Sequence, residues 1–164
     1  MNSTITIIAA IGKNNELGKN SDLIWKIKGD MKFFKETTTG HTLVMGKNTF
    51  FSLPGLLPNR KHIVLTYSSN NVFPNEVTVI HSIEEFDTLS KSIDDDIFVI
   101  GGASIYKQFI DKIDMMYLTE IDAECKTADV YFPEFNKQDY DVEILEEHDD
   151  EPNYKHVLYK KKHR

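Results

Sequence analysis

A chain of 164 residues, 40% hydrophobic and 11% aromatic, is long enough to build one globular domain around a full core, and a single domain over 1–164 is expected. A formal net charge of −7 excludes a general nucleic-acid binder, and the short basic end at 160–164 reads as a solvated strand end. The single cysteine, Cys125, excludes an internal disulfide, and the apolar run 5–11 is too short to span a bilayer, so a cytoplasmic protein is expected.

In chain order, short apolar runs alternate with helical patterns. A strand is expected near 4–12, a helix over 30–38, a strand over 42–46, a short helix over 47–52, and strands over 61–66 and 77–81. Ser82-Ile83-Glu84-Glu85 has the spacing of a capping box and opens a helix running to about Lys91. A strand over 97–100, a helix over 103–112 and a strand over 115–122 follow. Such β-branched runs between helices predict an α/β fold with a mostly parallel, buried central sheet and flanking helices. Two alternating segments, 140–148 and 154–161, flank a turn-rich stretch and predict a C-terminal antiparallel hairpin.

A parallel sheet binds ligands beyond the carboxyl ends of its strands, so chemistry is expected in the segments that follow strands. Asp30 opens the aromatic-faced stretch Asp30-Met31-Lys32-Phe33-Phe34-Lys35, five residues after the only tryptophan, Trp25. A carboxylate at an apolar surface is costly unless a polar group meets it, which suits binding and protonating a small nitrogenous ligand. Taken alone, it reads more readily as a first-turn acid complementing the helix dipole. In Val99-Ile100-Gly101-Gly102-Ala103-Ser104-Ile105-Tyr106, a strand runs through two glycines into a helix, a geometry that lets backbone approach a ligand. A ligand-free tight turn explains the same residues. Met45-Gly46-Lys47-Asn48-Thr49-Phe50 adds a cation and a hydroxyl to a helix start, as phosphate binding or as an ordinary surface helix. Arg60, in Leu57-Pro58-Asn59-Arg60-Lys61, offers a planar fork to a carboxylate or belongs to a solvated basic turn.

Several chemistries lack their signatures. Five residues separate Gly12 and Gly18 where a P-loop needs four, and Asn20 stands where that motif needs Ser or Thr. The six histidines show no paired metal spacing, so no metal is expected. No G-x-S-x-G elbow is present to support a hydrolase.

Taken together and in order, the segments resemble dihydrofolate reductase. The resemblance spans nearly the whole chain. It runs through Ile8-Ala9-Ala10, Leu17-Gly18, Trp25 with Asp30, Phe33-Phe34-Lys35 and Val44-Met45-Gly46-Lys47-Asn48-Thr49. It continues through Leu57-Pro58-Asn59-Arg60-Lys61, 100–106, Tyr117-Leu118-Thr119 and Phe132-Pro133. Each segment is weak alone; the ordered set is specific.

The resemblance implies hydride transfer from NADPH to the pterin ring of 7,8-dihydrofolate, giving tetrahydrofolate for one-carbon metabolism. It implies catalytic roles for Asp30, Trp25 and Thr119: Asp30 binds the pterin, Thr119 links that carboxylate to a water, and Trp25 holds a water at the site's edge. Ile8, Phe34, Leu53 and Leu57 form the apolar walls around the substrate, and Arg60 pairs with its glutamate carboxylate. Ala10, Leu17 and Gly18 lie along the nicotinamide and ribose. Lys47, Asn48, Thr49, Thr66, Tyr67 and Ser68 hold the cofactor phosphates, while Ile100, Gly101, Gly102, Ala103, Ser104, Ile105 and Tyr106 cradle the rest. A cis peptide is implied at Gly101-Gly102. Antifolate inhibitors are implied ligands, with no nucleic-acid or membrane partner, and the short form of the family implies a monomer. A dihydropterin takes hydride at one carbon and a proton on the neighbouring nitrogen. Asp30 is not beside that nitrogen, so water is the expected direct donor, and Asp30 acts electrostatically and as proton supply.

The chain departs from the family in three ways. Ile24 and Lys28 replace prolines that usually stiffen the loop over the site. Lys47 is a single-point cation where arginine is common, and Tyr67 stands where many members add a second cation, which implies a weaker preference for NADPH over NADH. Phe51 replaces a commonly acidic residue. The nearest rival of the same fold, the NADPH-dependent pyrimidine reductase of riboflavin synthesis, does not need Trp25, Asp30, Phe34 and Arg60 together. A non-catalytic nucleotide-binding module would not need Asp30 and Thr119.

Overall fold

The computed structural model describes residues 3–19, 22–68 and 73–162. The elements are β1 (Ile5–Ile11), β2 (Glu16–Lys19), β3 (Asp22–Leu23), α1 (Lys28–Thr38), β4 (Thr42–Gly46), α2 (Lys47–Ser52), β5 (Lys61–Leu65) and β6 (Val77–Ile80). They continue with α3 (Ile83–Ser90), β7 (Ile97–Val99), α4 (Ala103–Phe109), β8 (Met115–Ile121), β9 (Val130–Tyr131), β10 (Tyr140–His148) and β11 (Tyr154–Lys161), with a 3-10 turn at Lys137–Asp139. The main sheet has the order β10-β11-β8-β1-β7-β4-β5-β6. Strands β8 through β6 in that order are parallel, and β11 and β10 add antiparallel edges.

The near-continuous apolar strands carry a core on both sides of the sheet. Ile7, Val44, Val99, Met116 and Leu118 belong to one cluster with Phe86, Tyr106 and Phe109; Ile8, Leu43, Met45, Val64 and Phe98 belong to the other. Leu43, Val44, Met45 and Val64 are fully buried, and at about 25 cal/mol per Å² of apolar surface this double-sided burial holds the central strands. None of the described helices is long and apolar enough to cross a membrane.

The element pattern matches the sequence-based expectation closely, with informative differences. α1 begins at Lys28, because the amides of Asp30 and Met31 both donate to the carbonyl of Ile27, at 3.1 and 3.0 Å. Asp30 therefore lies within the first turn instead of opening it. α4 stops at Phe109, three residues before its expected end, as the chain tightens and Lys112 N donates to Phe109 O at 2.8 Å. At α3 the Ser82 hydroxyl accepts from Glu85 N at 3.1 Å, but the Glu85 carboxylate reaches one residue further back, to His81 N at 3.2 Å. The small sheet β3-β2-β9 was not expected; its strands are two to four residues long and carry no apolar period.

Candidate active site

Asp30 faces the sheet from the first turn of α1, where one lateral row crosses four strands. Ala10 on β1 pairs with Thr119 on β8, Thr119 with His156 on β11, and His156 with Glu146 on β10. Pairing in register turns these side chains to the same side of the sheet, toward α1. Thr119 donates its hydroxyl hydrogen to Asp30 Oδ1, and His156 Nε2 lies 3.3 Å from the same oxygen. Among the described residues no donor meets Asp30 Oδ2, and the side chain keeps 23% exposure.

His156 is itself buried, stacked flat on Phe33 with ring centroids 3.9 Å apart, and its Nδ1 lies 3.0 Å from Glu146 Oε1. Burial disfavours its charge, but the hydrogen bonds to Asp30 and Glu146 outweigh burial and hold the imidazole above its ordinary value. In its protonated form the ring would donate from both nitrogens, one to each carboxylate. Behind the row, the buried Tyr106 hydroxyl donates to Ile8 O at 2.9 Å; burial, aided by the charge of Asp30, pushes that phenol well above its ordinary value.

On the helix that carries Asp30, Phe33 and Phe34 join an apolar cluster. Ile8, Phe34, Leu53 and Leu57 pack in one cluster with Phe50 and Ile100. The Leu57 amide donates to His62 Nε2 at 3.1 Å, and burial pushes the His62 imidazole down, keeping that nitrogen free to accept. Arg60 is fixed at the far end of α1. Its Nη1 donates to Thr38 Oγ1 and its Nε to Pro58 O, both at 3.1 Å, while Thr38 donates to Phe34 O at 2.8 Å. Arg60 thus shares its support with Phe34. Trp25 stands at the end of β1, its ring 2.5 Å from where a Cβ on Gly12 would lie.

The two glycine-bearing segments meet. Gly46 N donates to Gly101 O at 2.8 Å, and the Gly101-Gly102 peptide is cis. Gly101 has φ +135°, and a Cβ there would sit 3.3 Å from Thr49 Oγ1 and 3.5 Å from the Tyr106 hydroxyl. The result is bare backbone beside a hydroxyl, with Lys47 in the same turn as Thr49: a donor set that suits a phosphorylated dinucleotide. Gly46 is equally constrained, since a Cβ there would lie 3.0 Å from Ile105. Tyr67 donates to Gln108 Oε1 at 2.8 Å, and Gln108 Nε2 donates to Ser104 Oγ at 3.3 Å, so a side-chain relay ties the 66–68 segment to α4. Asn48 is exposed, Ala103 is half-buried, and Thr66 Oγ1 accepts from Ser68 N at 3.2 Å. Leu17 and Gly18 lie on β2, Gly18 pairing with Leu23 and Val130, and Leu17 packs against the cluster on the other side of the sheet.

Sequence reasoning passed over His156, Glu146, Gln108 and Glu16. His156 carried no periodic signal, since His156-Val157-Leu158-Tyr159 are buried on both faces of β11. Gln108 and Glu16 had none, because their partners are distant in sequence or main-chain amides.

The sequence profile of the dihydrofolate reductase family matches residues 4–164. A type 15 dihydrofolate reductase from Escherichia coli is 42% identical over 130 residues, 79% of this chain and 82% of its own. Dihydrofolate reductase of Bacillus subtilis is 35% identical over 162 residues, covering 96% of this chain and 95% of its own. A solved structure of dihydrofolate reductase from Enterococcus faecalis, complexed with NADP(H) and a second ligand, superposes with a TM-score of 0.83 at 28% identity, covering 98% of this chain and 97% of that one.

Proposed function

The chain belongs to the dihydrofolate reductase family and reduces 7,8-dihydrofolate to 5,6,7,8-tetrahydrofolate with NADPH, and from that premise we propose how its residues divide the work. Asp30 anchors the pterin: its carboxylate accepts from ring N–H donors of the substrate, each such charge-assisted bond contributing about 1.5–3 kcal/mol. The observation that carries this assignment is that both protein partners, Thr119 and His156, fall on Oδ1, which leaves Oδ2 without a donor among the described residues. Thr119 fixes the carboxylate's orientation, and the His156 ring opposes the cost of holding a negative charge beside apolar walls.

Ile8, Phe34, Leu53 and Leu57 exclude water from the two faces of the pterin and benzoyl groups, and Arg60, braced by Thr38 and Pro58, pairs with the glutamate carboxylate. Lys47, Asn48, Thr49, Thr66, Tyr67 and Ser68 would hold the cofactor's phosphates. The backbone at 100–106 would seat its centre, and Ala10, Leu17 and Gly18 would line the nicotinamide end. When bound, NADPH supplies the hydride. The proton reaches the pterin nitrogen from water, with Trp25 holding solvent at the rim and Asp30 raising the nitrogen's basicity through its charge. Cytoplasmic action as a monomer belongs to the same reading, and the free thiol of Cys125 supports the reducing compartment.

Purified protein mixed with NADPH and dihydrofolate should show substrate-dependent loss of the nicotinamide absorbance. NADPH oxidation that does not depend on dihydrofolate would sink the reading.

A further inference from the structure

The antiparallel hairpin assembles a second constellation on the outer side of His156. Glu146 and His148 stand two apart on β10 and project to one face; Glu146 pairs with His156, and His148 with Tyr154. This placement depends on the register shift between Ile144 and Glu146. Without that extra residue, Leu145 would oppose His156, and Glu146 and His148 would point the other way. Along the chain the histidines show no ligand spacing; the bulge creates it.

The carboxylate oxygen of Glu146 and one ring nitrogen each of His148 and His156 lie within 4.8 Å of one another. Glu146 Oε1 is 3.0 Å from His156 Nδ1 and 3.7 Å from His148 Nε2. Ligands bound at about 2.0–2.1 Å around a tetrahedral zinc ion are separated by roughly 3.3–3.4 Å, so a small rotamer adjustment closes the set. The Glu146 carboxylate ion-pairs with both imidazoles, 3.0 Å from His156 and 3.7 Å from His148, and the longer contact is not a hydrogen bond. His148 Nε2 is buried with no hydrogen-bond partner among the described residues, which is costly unless something binds it. Its ring is held in place by stacking on Tyr154, centroids 4.7 Å apart at 14°. The far nitrogen of His156 is engaged by Asp30 at 3.3 Å, giving the carboxylate–histidine arrangement that orients metal-bound imidazoles.

We infer that Glu146, His148 and His156 form a site for one borderline divalent transition-metal ion, with Zn²⁺ as the reference case. Two imidazole nitrogens and one carboxylate oxygen favour such an ion over Ca²⁺ or Mg²⁺, which take oxygen sets. The fourth position lies toward solvent, since Glu146 is 54% exposed. Binding releases the Nδ1 proton of His156 to solvent and retains Nε2–H on Asp30. The imidazole that holds the ion is then itself held by the pterin-anchoring carboxylate, a consequence that rests on the role given to Asp30 above.

The site is tested on the full chain without folate or NADPH, so a failure of the reductase reading leaves the measurement intact. Calorimetric titration with Zn²⁺ in a non-chelating buffer should show one ion per chain with Kd on the order of 1 µM, and Co²⁺ should give the intense visible bands of a tetrahedral site. His148→Phe, which keeps the ring stacked on Tyr154, and Glu146→Gln should each weaken Zn²⁺ at least about tenfold. Binding weaker than millimolar, or unchanged in both variants, overturns the inference. Should a variant fail to fold, the ring ¹⁵N spectrum of the unaltered protein decides: a metal-shifted Nδ1 at His156 supports the site, and an unshifted one overturns it.

Discussion

Thr119 and His156 stand opposite each other on β8 and β11, and both direct their hydrogen bonds to a single oxygen of Asp30. The carboxylate is thereby aimed by two strands of the rigid sheet while being carried by a helix, so its position does not depend on the loop that precedes α1.

Asp30→Asn keeps the shape and removes the charge. Turnover with dihydrofolate at neutral pH should fall about 10²–10³-fold, the range for loss of one preorganised electrostatic group. NADPH affinity should change little, because among the described residues the side-chain hydrogen bonds of Asp30 go to Thr119 and His156, neither of them a proposed cofactor residue. Steady-state kinetics with a fluorescence titration of NADPH checks both; near-normal turnover would refute the assignment.

Thr119→Val removes one donor from Oδ1 and leaves His156. A charge-assisted hydrogen bond contributes about 1.5–3 kcal/mol, so kcat/KM for dihydrofolate should drop about tenfold or more, chiefly through KM. A lowered kcat at constant KM would mean that Thr119 acts only in the transition state.

Much of this architecture was legible because its cause is local. Val44 and Val99 sit in the runs Leu43-Val44-Met45 and Ile97-Phe98-Val99, apolar at every position, as a strand covered on both faces requires. The structure packs Ile8, Phe34, Leu53 and Leu57 in one cluster, drawn from β1, α1 and the loop that follows α2. The partner of Asp30 on β11 was not legible. His156 reaches it across 126 residues, aimed by an unbroken register with Thr119 on β8 that nothing local in the sequence marks. The short strands β2, β3 and β9 escaped for another reason, since Glu16-Leu17-Gly18-Lys19 pairs through backbone with no repeating apolar face.

Lys47 tests cofactor selectivity. As a single ammonium beside Thr49 it can meet the extra phosphate of NADPH, which NADH lacks. Lys47→Ala should weaken NADPH about tenfold and NADH little, and rising salt should shrink the difference. Equal losses for both cofactors would show that Lys47 does not read that phosphate.

Gly29 and Tyr154 give a test in which two effects have opposite signs. Helix propensity alone makes Gly29→Ala stabilising by about 0.5–1 kcal/mol, but the added Cβ would overlap the Tyr154 hydroxyl. The ring cannot swing aside without leaving His148, on which it is stacked. A net loss of about 1–3 kcal/mol is expected in urea unfolding. In a Tyr154→Phe background the overlap disappears, and Gly29→Ala should become neutral or stabilising. Additive losses in the double variant would locate the strain elsewhere.

Glu16 tests acid stability. Its side chain is 1% exposed, and its two oxygens accept from Asn14 N at 2.7 Å and Cys125 N at 2.8 Å, clamping the strand that carries Leu17 and Gly18 to the 123–125 turn. Burial alone would raise this carboxyl, but the amide donors outweigh burial and hold it below its ordinary value. A carboxyl depressed in the folded state stabilises the fold above its unfolded pKa, near 4.3, and that contribution drains away as pH falls through the lower folded value. Glu16→Gln turns an amide toward one of the two N–H donors and should cost about 2 kcal/mol at pH 7. The gap between the variant and the unaltered protein should close progressively below about pH 4, as protonation imposes the same loss on Glu16. Chemical unfolding at several pH values measures the gap, and one that stayed constant down to pH 3 would show that the Glu16 charge is not what the clamp uses.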